Sequence, residues 1–244
     1  MRNRRAGDGT LRRRSERGVR APMSTDEEGP QLWFSGRRRD ARSVVIVLPG
    51  GRERGMGRVR RWNLAVLRMR PFVRAVGRVA PNSAIVLVGY RHRGWNRADP
   101  VEDVAVAARV IEDRFGTLPM VLVGHSMGGR TALRSAGLAR VIGVIGLAPW
   151  IPDGEPHEQL ADRRVLMLHG ANDRTTSPKG TARFAVRVAA VAREVVSLRL
   201  TGTGHTMVRR APTWHRLTAE AIAAILTESS IAEIGRDQPV IVTT

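Results

Sequence analysis

Apolar and polar positions along this chain follow two rhythms. Apolar runs at 43–48, 84–88, 119–123, 141–147 and 164–168 are short and end in turn residues, the pattern of strands buried on both faces, and a further strand is expected at 194–200. Between them the apolar positions recur at helical spacing. Leu64, Leu67, Phe72, Val73 and Val76 make one such face, and Val101, Val104, Ala105, Ala108 and Ile111 another. Further helices are expected at 130–138, 181–193 and 213–226. Pro71 should kink or split the first helix. Asp99-Pro100-Val101-Glu102 reads as N-cap, N1 proline and N3 glutamate for the second, with Gly116 closing it. Strand and helix thus alternate through 43–226. This predicts an α/β fold: a mostly parallel central sheet with helices on both faces and ligands at the carboxyl ends of the strands.

Outside that core the rhythm fades. Residues 1–30 read as a disordered arginine-rich tail, 31–35 as a short edge strand, and 229–244 as an extension in which 239–242 is a weak strand candidate. The folded catalytic domain is expected over 31–228. The net charge is +19, and 40 of the 41 basic residues are arginine, Lys179 being the exception. Arginine, alanine and glycine enrichment with so little lysine suggests coding bias more than a basic partner. The tail alone carries Arg2 to Arg20, eight arginines against Asp8 and Glu16, but no aromatic residue to stack on bases, so specific nucleic-acid binding is not expected. The chain has no cysteine, which excludes disulfides, thiolate nucleophiles and iron–sulfur clusters. No stretch reaches the roughly 18 apolar residues of a membrane span. The basic start lacks the apolar middle of a secretory signal, so a cytoplasmic location is expected.

The chemistry concentrates where the run at 119–123 meets a helical pattern, at Gly124-His125-Ser126-Met127-Gly128-Gly129. A serine on a tight strand-to-helix turn has its hydroxyl thrust outward, and glycines two residues either side keep Cβ atoms from colliding with neighbouring backbone. With 25 glycines in the chain those letters alone are weak, and their placement is what counts. Two further residues follow strands and so emerge at the same sheet edge: Asp173, four residues past His169, and His205, on a glycine-rich loop. A serine hydroxyl needs a base within hydrogen-bonding reach, and the base needs an acid to hold its tautomer.

Four segments in this order resemble the α/β-hydrolase superfamily: Leu48-Pro49-Gly50-Gly51, the Ser126 elbow, Leu168-His169-Gly170-Ala171-Asn172-Asp173, and Gly202-Thr203-Gly204-His205. The resemblance spans about three quarters of the chain and implies a small esterase-like, lipase-like or dienelactone-hydrolase-like serine hydrolase without a large cap domain. It implies nucleophile Ser126, acid Asp173 and base His205, with Asp153 the competitor for the acid. It also implies an oxyanion hole from the backbone N–H groups of Met127 and Gly51. Many relatives carry histidine where Pro49 stands, and this departure keeps Arg52 open as the second donor.

The implied reaction is hydrolysis of a carboxylic ester or thioester through an acyl-enzyme, with no cofactor and no metal. No His-x-x-x-His pair and no carboxylate cluster with ligand spacing occurs in the sequence. The alternative is a noncatalytic member of the fold that binds through its basic surface. Only about 15 residues separate the runs at 141–147 and 164–168, so the site is expected to be lidless, with Trp150 and Ile151 at its rim. Trp150 is the candidate substrate-pocket residue, set against simple wall packing. Arg52, Arg91, Arg93 and Arg130 follow strands or the elbow; solvated surface arginine is expected over recognition of an anionic substrate. The sequence leaves the substrate and the oligomeric state open.

Overall fold

The structure, a computed structural model, describes residues 23–24, 29–37 and 39–243, and of 23–24 and 240–243 only the backbone. Most of the expected tail, 1–22 and 25–28, lies outside the described residues. Nine strands form one sheet. In chain order they are β1 (Met23–Ser24), β2 (Gln31–Gly36), β3 (Ser43–Leu48), β4 (Ser83–Gly89), β5 (Met120–His125), β6 (Val141–Leu147), β7 (Arg164–Gly170), β8 (Glu194–Leu200) and β9 (Val240–Thr243). Across the sheet the order is β1-β2-β4-β3-β5-β6-β7-β8-β9. The six strands from β4 to β8 are mutually parallel, and β1, β2 and β9 pair antiparallel at the two ends.

β3, β4, β5 and β7 are buried at every residue, as strands covered on both faces must be. The cover comes from α1 (Leu64–Val79), α2 (Asp99–Phe115), α3 (Met127–Arg134), α4 (Pro178–Val188) and α5 (Ala211–Leu226), with α1 packed on α5 and α2 on α3. The expected α/β architecture is therefore present. Among the described residues no helix is long and apolar enough to cross a membrane.

Three local expectations need correction. Pro71 does not split α1, which runs unbroken for 16 residues. The lost N–H and ring clash cost about 3 kcal/mol, whereas Val66, Met69, Phe72 and Val76 are all buried along the same face and outweigh it. Asp99 does not cap α2. Ala98 is the cap residue, in the left-handed region, and the Asp99 carboxylate instead accepts from His92 Nδ1 at 2.9 Å and Asn96 Nδ2 at 2.8 Å. α4 begins at Pro178 and stops at Val188 rather than spanning 181–193, because Ser177 caps it through the Gly180 N–H and Pro178 occupies the first turn. The weak terminal candidate is real: β9 pairs with β8, and Ile231 and Ile234 ahead of it are buried.

Chain order reverses between β3 and β5, which lie side by side although β4 intervenes in sequence. In open parallel sheets such a reversal, at the carboxyl ends of the strands, is where ligands bind.

Candidate active site

Ser126 sits directly after β5 with φ 57° and ψ −117°, a backbone conformation unusual for a residue with a side chain. Its environment over-determines that geometry. Its N–H donates to Leu147 O at 2.9 Å, and its carbonyl accepts from Arg130 N and Trp150 N, each at 3.1 Å. A Cβ on Gly124 would overlap the Gly128 carbonyl, and one on Gly128 would overlap the carbonyls of Leu48 and Pro49. Strand β5, helix α3 and the end of β3 approach so closely that only glycine fits at both positions. Ser126 as a residue is left partly accessible, between buried His125 and buried Met127.

His205 and Asp173 arrive from the loops after β8 and β7. Those loops are tied together: Ala171 N donates to Leu200 O and Asn172 N to Thr203 O, both at 2.9 Å. A Cβ on Gly170 would press on Thr203. The result is a continuous relay. His205 Nε2 lies 3.0 Å from Ser126 Oγ, and His205 Nδ1 lies 2.8 Å from Asp173 Oδ2. With the carboxylate accepting from Nδ1–H, Nε2 presents its lone pair to the serine hydroxyl. The Asp173 side chain is fully buried and that of His205 is 13% exposed. Asp153, the competing carboxylate, is wholly solvent-exposed and reaches only Arg183, at 3.5 Å.

Burial alone would raise the Asp173 pKa. Hydrogen bonds from His169, from His205 and from the backbone N–H groups of Thr176 and Thr175 outweigh it and hold the carboxyl well below the usual carboxylate range. Two of these donors come from residues the sequence reading passed over. His169 Nε2 approaches Asp173 Oδ2 at 3.1 Å while its Nδ1 accepts from Thr181 Oγ1 at 2.8 Å. Thr176 Oγ1 donates to the same Oδ2 at 2.9 Å. The elbow histidine was also passed over: His125 Nε2 donates to the His205 carbonyl at 2.9 Å, with the two rings 4.8 Å apart. Burial and the neighbouring His205 push its pKa down to about 3, so it is a neutral strut. The four-residue spacing of His169 and Asp173 across a strand end was the available signal for the first.

Gly51 follows β3 opposite Met127. A Cβ at Gly51 would overlap the Met127 side chain and the Arg93 carbonyl, so the two loops pass at backbone contact. The Met127 N–H is the first of α3 and has no partner within the helix. Trp150 packs edge-on against Trp95 with centroids 6.0 Å apart. The Arg130 guanidinium lies over both rings, at 4.0 Å from Trp95 and 4.6 Å from Trp150, and pairs with buried Glu155 at 2.7 Å. Arg91 is bound to Glu102 and Asp103. These two arginines are framework rather than solvated surface. Arg93 Nε donates to Arg58 O at 3.2 Å, and Arg52 is exposed. Between β6 and β7 only the 3-10 turn Glu158–Leu160 forms, and no large cap covers Ser126. Among the described residues no group of three or more metal-ligating side chains occurs.

No family model matches the chain and no curated protein matches its sequence. Solved structures do match its fold. An α/β serine hydrolase homologue from Coxiella burnetii superposes with a TM-score of 0.64 at 14% identity, covering 83% of this chain and 96% of that one. Est1E from Butyrivibrio proteoclasticus gives 0.65 at 10% identity, covering 85% and 98%. The propionate-bound esterase Est2 from Thermogutta terrifontis gives 0.65 at 16%, covering 89% and 97%. The chain has the α/β-hydrolase fold.

Proposed function

We propose that this α/β-hydrolase-fold chain is a serine hydrolase that cleaves a carboxylic ester or thioester through an acyl-enzyme. The observation that supports this most directly is the relay from Ser126 Oγ through His205 to Asp173, at 3.0 and 2.8 Å. Ser126 Oγ attacks the carbonyl carbon as its proton passes to His205 Nε2. The carbonyl oxygen, now negative, is held by the backbone N–H groups of Met127 and Gly51. The intermediate collapses, the carbon–oxygen or carbon–sulfur bond breaks, and the leaving group takes the proton from His205. Water then attacks the acyl carbonyl and gives His205 a proton. The acid departs, and Ser126 recovers its proton. Asp173 stays ionised throughout and stabilises the imidazolium. Trp150, tied by its N–H to the Ser126 carbonyl, forms a wall of the acyl site.

A fluorophosphonate probe tests the reading. Wild type is expected to label covalently and Ser126→Ala to stay unlabelled, while both keep the same melting temperature. An unlabelled, folded wild type overturns it.

A further inference from the structure

Three of the six large apolar side chains exposed among the described residues fall within nine positions: Met56 (67% exposed), Trp62 (60%) and Leu64 (77%). Their backbone is not a loose loop. Arg52 N donates to Arg93 O, Trp95 N to Arg52 O, Gly94 N to Gly55 O and Arg93 N to Gly57 O, all within 2.9 Å. Asn63 Oδ1 accepts from Arg60 N at 2.6 Å and fixes the last turn before α1. A segment laced this firmly holds its apolar side chains in water, and three such side chains in one short segment mark it as a candidate contact surface. Interleaved with them are Arg52, Arg54, Arg58, Arg60 and Arg61 against the single Glu53. None of the five arginines forms an ion pair with a described carboxylate. The Arg60 guanidinium lies 5.6 Å from the Trp62 ring, a cation beside an aromatic as at lipid headgroup depth.

The segment also borders the site. A groove of about 270 Å³ runs between Val59, Leu64, Arg52 and Arg93 to Gly50 and Gly51. A Cβ built on Gly50 would stand 3.5 Å from Ser126 Cβ, so the groove shares its Gly50 wall with the turn that carries the nucleophile.

We propose that the 52–64 segment docks this protein on an anionic lipid–water interface, and that the adjoining site takes its ester from that surface. The second clause rests on the serine-hydrolase reading; the docking does not. Aliphatic Met56 and Leu64 gain by insertion among acyl chains, whereas they offer no face for stacking on bases. That favours lipid over nucleic acid. Arginine adds attraction to anionic headgroups that falls off within a Debye length and weakens with salt.

The test uses the full chain and vesicles of phosphatidylcholine, with and without phosphatidylglycerol. Wild type is expected to sediment with the anionic vesicles at low salt, to be released by high salt, and to leave the neutral ones largely unbound. Met56→Ser/Trp62→Ser should partition about a hundredfold less, since two apolar insertions are lost and each is worth about tenfold. Val186→Ser, exposed on α4, should partition like wild type. Turnover of a short soluble ester should be equal in wild type and Met56→Ser/Trp62→Ser, while turnover of an ester embedded in the anionic vesicles should fall with partition. Docking is overturned if wild type fails to bind anionic vesicles, if the double variant binds as well as wild type, if Val186→Ser loses as much, or if an oligonucleotide binds and vesicles do not. Unchanged turnover of embedded ester by the double variant overturns the second clause alone. A folded wild type inert on the soluble ester sinks the hydrolase reading and leaves the partition experiment standing.

Discussion

His169 and His205 converge on the same oxygen: both rings donate to Asp173 Oδ2, at 3.1 and 2.8 Å, with Thr176 Oγ1 a third donor at 2.9 Å. The carboxylate that orients one imidazole is thus itself oriented by another. Thr181 fixes the tautomer of His169 by donating to its Nδ1. His169→Phe removes a donor from a fully buried carboxylate, a loss of about 1–3 kcal/mol in the hydrogen-bonded charge. The expected outcome is a 10- to 100-fold fall in kcat for a soluble ester, roughly that energy converted, with KM little changed. His169→Gln, which keeps an N–H donor, should recover part of it. Equal kcat in wild type and His169→Phe would show that His205 and Thr176 suffice.

Gly51→Ala tests the oxyanion arrangement. The added methyl would overlap the Met127 side chain and the Arg93 carbonyl. The β3 loop must shift away from Ser126 to make room. Losing one oxyanion donor typically costs about 2.7–4 kcal/mol, so kcat should fall by 100- to 1,000-fold. Fluorophosphonate labelling should slow in parallel, and the circular dichroism spectrum should be unchanged. Normal kcat in this variant excludes Gly51 as a donor.

Most of the sheet was legible because its strands are buried on both faces and so read as unbroken apolar runs ended by glycine or proline. β3 and its Pro49-Gly50-Gly51 stop, and β5 with its elbow, needed nothing more. Ser126, Asp173 and His205 were legible in part for the same reason, since each follows a strand, but Asp153 does too, and the choice of Asp173 came from the resemblance to α/β-hydrolases. What stayed hidden depends on which elements touch. Asp99 sits at the right place for a helix cap, but the loop after β4 offers it His92 and Asn96 instead. The role of His169 needs Thr181, which β7 meets only when α4 packs on it. Arg130 was one arginine among 40 until Trp95, Trp150 and Glu155 closed around it.

That cluster carries its own expectation. Glu155 is buried to 1% exposure and bonded to Arg130 at 2.7 Å. Arg130→Ala strands its charge, with Arg134 Nη1 no nearer than 3.9 Å. Breaking a buried pair from one side costs about 3–5 kcal/mol. Urea denaturation should show a loss of that order, while Arg130→Met/Glu155→Leu, which removes both charges, should recover most of it. A loss below 1 kcal/mol in Arg130→Ala, against the expected ~3–5 kcal/mol, would mean that solvent reaches Glu155.

His125 makes the acid limb of stability predictable in sign. Its imidazole has a pKa of about 3 in the folded protein because burial and the His205 ring disfavour a charge there. In the unfolded chain it titrates at about 6.5. Between these two values the unfolded state binds a proton that the folded state refuses, so stability falls as pH falls through that window and is flat with respect to this group above it. The whole window is worth up to roughly 5 kcal/mol. Asp173 moves the other way in charge but not in consequence. Its folded pKa is depressed, so its contribution is present above the unfolded carboxylate value of about 3.9 and is lost only as pH drops further. The His125 loss therefore comes first. Half-buried His215, whose pKa burial also lowers, adds in the same direction. His125→Gln keeps an N–H to hold the His205 carbonyl but cannot titrate, and it leaves His215 in place. Urea midpoints taken from neutral pH to pH 4 should fall more steeply in wild type than in His125→Gln, the two curves converging in slope above pH 7, beyond the unfolded value of about 6.5. Parallel curves throughout would show that the elbow imidazole accepts a proton in place, and its assignment as a neutral strut beneath His205 would fail.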